Sequence, residues 1–123
     1  MKIDRNMREL IAVLNEFPGI RTYASCGGHL KLEGRITPVK KGSFYVNFAT
    51  PLDDKNGDVV KSISIIEKVI ERYGKDVILE KTIFPDKEEH RFWSLDGKKV
   101  SPKILAYQLY RELRKNQMET TPP

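Results

Sequence analysis

A chain of 123 residues with 39% hydrophobic residues and a single cysteine fits one domain, large enough to build a core without a disulfide staple. No apolar run approaches the roughly 20 residues of a membrane span and the first residues lack a signal-peptide apolar region, so we expect a cytoplasmic protein with no membrane partner. The net charge of +5 is uneven: residues 1 to 50 carry 8 basic and 4 acidic side chains, residues 51 to 100 carry 10 and 11, and residues 101 to 123 carry 4 and 2, a balance that suits an anionic partner such as tRNA. The 32% of charged residues, mostly Lys and Glu, also gives the surface a thermophile-like composition.

Residues 4 to 17 repeat apolar side chains at helical spacing (Met7, Leu10, Ile11, Leu14, Phe17), with Asp4 as the expected cap and Pro18-Gly19 as the stop. Ile20 to Cys26 reads as a strand, ended by Gly27-Gly28, and a short strand His29 to Glu33 is expected beyond it. Gly34 to Gly42 is a basic loop, and Phe44, Val46 and Phe48 alternate with Tyr45 and Asn47 in the next strand. Asp58 is the expected cap of a second helix reaching Tyr73, stopped by Gly74. A β-rich run from Asp76 to Phe84 and a strand from His90 to Leu95, separated by the turn Pro85 to Glu89, suggest a hairpin. Ser101-Pro102 opens a third helix marked by Leu105, Leu109 and Leu113. The reading is an α+β domain over residues 1–115, with three helices on a largely antiparallel sheet of four or five strands in the order α-β-β-α-β-β-α. One parallel pair is expected across the second helix, and residues 116–123 read as a disordered tail.

The stretch Ser25-Cys26-Gly27-Gly28-His29 has the composition of a site, because a strand that breaks into two glycines exposes backbone N–H groups beside a hydroxyl, a thiol and an imidazole. Three roles compete for it, and the strand aromatics beside it offer a fourth reading. Cys26 and His29 have ligand spacing, and His90 would complete a zinc set with an open position, although the chain holds no second paired motif. Cys26 is a nucleophile if His29 or the turn favours its thiolate, and otherwise a small buried residue. Gly27-Gly28, with Ser25 beside it and Arg21 or Arg35 near, suits an anion or nucleotide, or is simply a tight turn. Finally, Tyr23 and Tyr45 are the strand aromatics expected to escape the core and stack bases, with Arg21, Arg35, Lys40 and Lys41 meeting phosphates. Asp53-Asp54 and Glu88-Glu89 read as solvated loop acids.

The words Leu10-Ile11, Leu14-Asn15, Pro18, Thr22 and Ser25-Cys26-Gly27-Gly28-His29, followed by Tyr45-Val46-Asn47-Phe48 and Pro51, resemble the tRNA wybutosine-synthesising methyltransferases and related small proteins with a Ser-Cys-x-Gly-His turn. The resemblance spans about residues 1 to 84 and does not extend to the family's later half; Gly27 stands where the family has Ser, His29 where it has Arg, and Ala24 replaces a Ser. It implies an α+β fold, S-adenosylmethionine as cofactor and tRNA as partner. Ser25, Gly27 and Gly28 would contact the donor, and His29 and Cys26 would stand at the reacting centre. Two functional expectations result: with the resemblance, a module that binds S-adenosylmethionine or a nucleotide-like anion at the Ser25 to His29 turn, whether or not it transfers a methyl group to tRNA; from the residues alone, a noncatalytic RNA or protein interaction module. A homodimer is compatible with either.

Overall fold

The structure is a computed structural model that describes residues 4–27, 42–82 and 89–120, with side chains through Gln117. Three helices pack on a four-stranded antiparallel sheet. In chain order, a 3₁₀ turn Arg5–Met7 leads into α1 (Arg8–Glu16), followed by β1 (Arg21–Cys26), β2 (Ser43–Pro51), α2 (Asp58–Ile70), β3 (Val77–Thr82), β4 (His90–Lys98) and α3 (Pro102–Thr120). The expected His29 to Glu33 strand, the basic loop with Arg35, Lys40 and Lys41, and most of the Pro85 turn fall outside the described residues.

Alternation along β2 divides the sheet into two faces. Phe44, Val46, Phe48 and Thr50 are buried, whereas Tyr45, Asn47 and Ala49 between them are half-buried. The buried set meets Leu95 of β4, Val77 of β3 and the apolar stripes of all three helices in one core that includes Met7, Leu10, Leu14, Phe17, Ile66, Leu105 and Leu109. Burial of each such side chain contributes about 1.5–3 kcal/mol. Trp93 lies on this side too, stacked on Phe48 at 6.1 Å and donating from Nε1 to Thr50 Oγ1 at 3.0 Å. Phe92 points the other way.

Several local expectations are corrected. The sheet order is β1-β2-β4-β3, so β2 and β3 run in the same direction but β4 lies between them, and these two strands form no parallel pair. Asp54, rather than Asp58, caps α2: its carboxylate oxygens accept from Val59 N–H at 2.9 Å and Val60 N–H at 3.1 Å, while Gly57 turns the chain with φ +72°. Asp4 makes no capping bond to the helical turn that follows it. α2 ends at Ile70 and a 3₁₀ stretch carries the chain to Asp76, with Gly74 at φ +57°. α3 continues to Thr120, so residues 116–120 are helical instead of part of an unstructured tail. Helical geometry there follows from hydrogen bonding along the backbone, which needs no apolar stripe; Asn116 also donates from its amide to Glu112 O at 2.7 Å.

The α1–β1 corner is tightly specified. Asn15 donates to Thr22 Oγ1 at 2.8 Å and to Ile11 O at 3.0 Å, and accepts from Thr22 N–H at 2.9 Å. Ser62 of α2, itself buried, donates to Pro18 O at 2.8 Å. Gly19 has φ +84°, and a Cβ there would stand 2.7 Å from Val59 Cγ2. Positive φ and close packing both demand glycine.

Candidate functional site

The described part of the glycine turn is occupied by the protein's own first turn. Gly27 N–H donates to Asp4 Oδ2 at 2.7 Å, and Gly27 O accepts from Asn6 Nδ2 at 3.0 Å. A Cβ on Gly27 would fall 2.0 Å from Asn6 Oδ1. The close approach that glycine permits here is thus an approach by Asn6, and the N–H expected to meet a ligand is already satisfied by a carboxylate. Gly28 and His29 lie outside the described residues. Ser25 pairs with Val46 and is half-buried on the helix side of the sheet.

Cys26 is 1% exposed, so its thiol is not open to a substrate. It pairs with Tyr45, which places it on the sheet face opposite the helices, and it does not belong to the helix-side core. His90 pairs with Pro51 at the far end of β2. Tyr45 and Pro51 are six residues apart on one strand, about 20 Å at ~3.3 Å per residue, so the Cys26 and His90 positions do not share a metal. Among the described residues no three His, Cys, Asp or Glu side chains come together as a metal site.

The residues that do converge are those of the other sheet face, which none of the described helices covers. Antiparallel register puts directly paired side chains on the same face. Arg21, Ala49, Phe92 and Thr82 form one row, Ala24, Asn47, Ser94 and Glu80 the next, and Cys26, Tyr45, Asp96 and Ile78 the third. A bulge between Thr22 and Ala24 leaves Tyr23 without a paired position. Its ring meets Phe92 edge to face at 5.8 Å, across β2, the strand between β1 and β4. His90 adds a third ring, 6.5 Å from Phe92. Tyr23 remains 43% exposed, with its phenol pushed above the ordinary range by partial burial and therefore protonated at neutral pH.

The opposite end of the face is polar. Ser94 Oγ donates to Asp96 at 3.2 and 3.3 Å from its two carboxylate oxygens. Burial raises the Asp96 carboxyl above its usual range; the Ser94 hydrogen bond lowers it, Glu80 raises it and Lys98 lowers it. One face therefore combines aromatic rings, an amide (Asn47), a hydroxyl (Ser94), a carboxyl (Asp96) and, at the β1 edge, the exposed guanidinium of Arg21.

Of the residues singled out in the sequence, the structure puts Arg21, Tyr23, Cys26, Tyr45 and His90 on this face, Cys26 buried at one end and His90 at the other, and separates Ser25 and Gly27 from it. Arg35, Lys40 and Lys41 are outside the described residues. Phe92, Ser94 and Asp96 were missed. Their signal was the two-residue alternation with Trp93, Leu95 and Gly97, which assigns them to one face of β4 but does not say which strand lies alongside. No family model, curated protein or solved structure matches the chain. No described helix is long and apolar enough to cross a membrane.

Proposed function

We propose that this protein is a noncatalytic RNA-binding module that takes single-stranded RNA on the sheet face opposite its described helices, at the end that carries Arg21 and Tyr23. The observation that carries the reading is the Tyr23–Phe92 ring pair across β2, with Arg21 in the row of Phe92. Bases stack on exposed strand aromatics with about 1–3 kcal/mol each, largely independent of sequence. Arg21 supplies a cation for the phosphate, and Asn47, Ser94 and Asp96 supply donors and acceptors for base edges. The net charge of +5 and the resemblance to a tRNA-modifying family both favour an RNA partner.

At the described part of the glycine turn the Gly27 N–H is held by Asp4 and the space above Gly27 is filled by Asn6, which favours the sheet face over Gly27 as the place for a ligand. Cys26 is buried and presents no thiol to a substrate.

Fluorescence anisotropy with a labelled oligouridylate tests the proposal. Tyr23→Ala and Phe92→Ala each weaken binding by about 1 kcal/mol or more, at least fivefold, if each ring carries a stacked base. Equal affinity for wild type and both variants, in folded protein, refutes the sheet face as the RNA site. Calorimetric titration with S-adenosylmethionine separates the other expectation, because saturable heat would return the donor to the turn.

A further inference from the structure

α3 offers a second surface, on the far side of the described helical layer from the sheet face that carries Tyr23 and Phe92. Its buried side, Leu105, Ala106, Leu109 and Leu113, enters the core. Spacings of three and four residues gather Lys103, Ile104, Tyr107, Tyr110, Arg111 and Arg114 on the solvent side, with Lys115 beside them, and every one is exposed. Among the described residues all four basic side chains of this helix fall in that arc and no carboxylate does. Glu112 lies outside the arc, its carboxylate mostly buried between Lys68 at 3.7 Å and Arg72 at 3.5 Å. Arg111 lies over the Tyr107 ring at 5.7 Å and Arg114 over the Tyr110 ring at 5.8 Å. Next to them a groove of about 810 Å³ is lined by Arg72, Gln108, Glu112 and Lys115 together with these residues, so that four cations face one carboxylate that is already flanked by Lys68 and Arg72.

We infer that this face of α3 docks an acidic protein segment carrying apolar side chains among its carboxylates. Charge complementarity requires an anionic occupant, and two details favour a polypeptide over a nucleic acid. Ile104 is 56% exposed, an aliphatic side chain that gains nothing from a phosphate backbone. Each tyrosine already carries a guanidinium over one ring face, which shields that face from a base while leaving the in-plane N–H groups free to fork onto carboxylates. Tyr107 at 61% and Tyr110 at 39% exposure complete a Tyr and Arg composition typical of protein interface centres. The observation is independent of the RNA reading and describes a different side of the molecule.

The test uses the full chain and a fluorescein-labelled random copolymer of glutamate and tyrosine, with poly-L-glutamate and unlabelled oligouridylate for comparison. The copolymer binds wild type more tightly than poly-L-glutamate does. The pair Arg111→Glu with Arg114→Glu weakens copolymer binding about tenfold or more, whereas Lys61→Glu with Lys75→Glu, which changes the net charge equally, costs under about threefold. Ile104→Ala with Tyr107→Ala, both at exposed positions, lowers copolymer affinity about fivefold and leaves oligouridylate affinity within about twofold. Equal losses from the two charge-reversal pairs, or displacement of the copolymer by oligouridylate, would overturn the inference and reduce the face to a general polyanion surface.

Discussion

At Asp96 a carboxyl group has been drawn partly out of water on a strand whose neighbour, Glu80, carries the same charge. Its folded-state pKa lies above the ordinary 3.8, so ionisation is harder in the folded protein than in the unfolded chain. The contribution to stability is fully present below pH 3.8 and is lost as pH rises through the folded-state value. Asp96→Asn, which keeps an acceptor for Ser94, therefore gains stability relative to wild type on going from pH 3 to pH 7 in urea unfolding; a constant difference would show that the group titrates normally. At the α1–β1 corner, Asn15→Ala removes both bonds to Thr22 and costs about 1–3 kcal/mol by the same measurement. Gly19→Ala forces a methyl group against Val59 at positive φ and costs about 1–3 kcal/mol. Of these constraints, only the turn at Pro18-Gly19 was legible beforehand, because proline and glycine state their backbone needs locally. Asn15 and Asp4 were not, since their partners lie seven and 23 residues away and only the fold brings them close.

The elements themselves were largely legible, because apolar residues at helical spacing and at every second position report which side of an element is buried. Helices near residues 4 to 17 and 58 to 73, the strand around Phe44 to Phe48 and the Ser101-Pro102 helix start all follow from that pattern. At that start the Ser101 hydroxyl accepts from Ile104 N–H at 3.3 Å. Cap chemistry was less legible, since Asp54 and Asp58 are the same residue type and differ only in whether the intervening glycine turns the chain back. Asp54→Ala accordingly destabilises the protein by about 1 kcal/mol in thermal or urea unfolding, and Asp58→Ala costs less than half of that. Strand order was hidden for a related reason. The Val77 and His90 strands announce a hairpin, but nothing local tells β4 to insert between β2 and β3; that choice buries Leu95 and Gly97 against Phe44 and its neighbours, a contact between distant segments.

Among the described residues the helices lie in one layer on one side of the sheet, and this places two chemically different surfaces on opposite sides of the molecule. The sheet face, with Tyr23, Tyr45, Phe92 and Asn47, suits stacked bases, while α3 presents cations paired with tyrosines. The tyrosines of β1 and β2 were visible in the sequence as candidates for an exposed face, but the glycine turn, which drew more attention there, is held at Gly27 by the amino-terminal turn. The most direct test of the RNA reading is a two-dimensional amide NMR titration with an unlabelled oligouridylate. The account predicts saturable shift changes at Arg21, Tyr23, Tyr45, Asn47 and Phe92 with α3 unmoved; changes confined to α3 or to the Asp4 and Gly27 contact, or none at all, would contradict it.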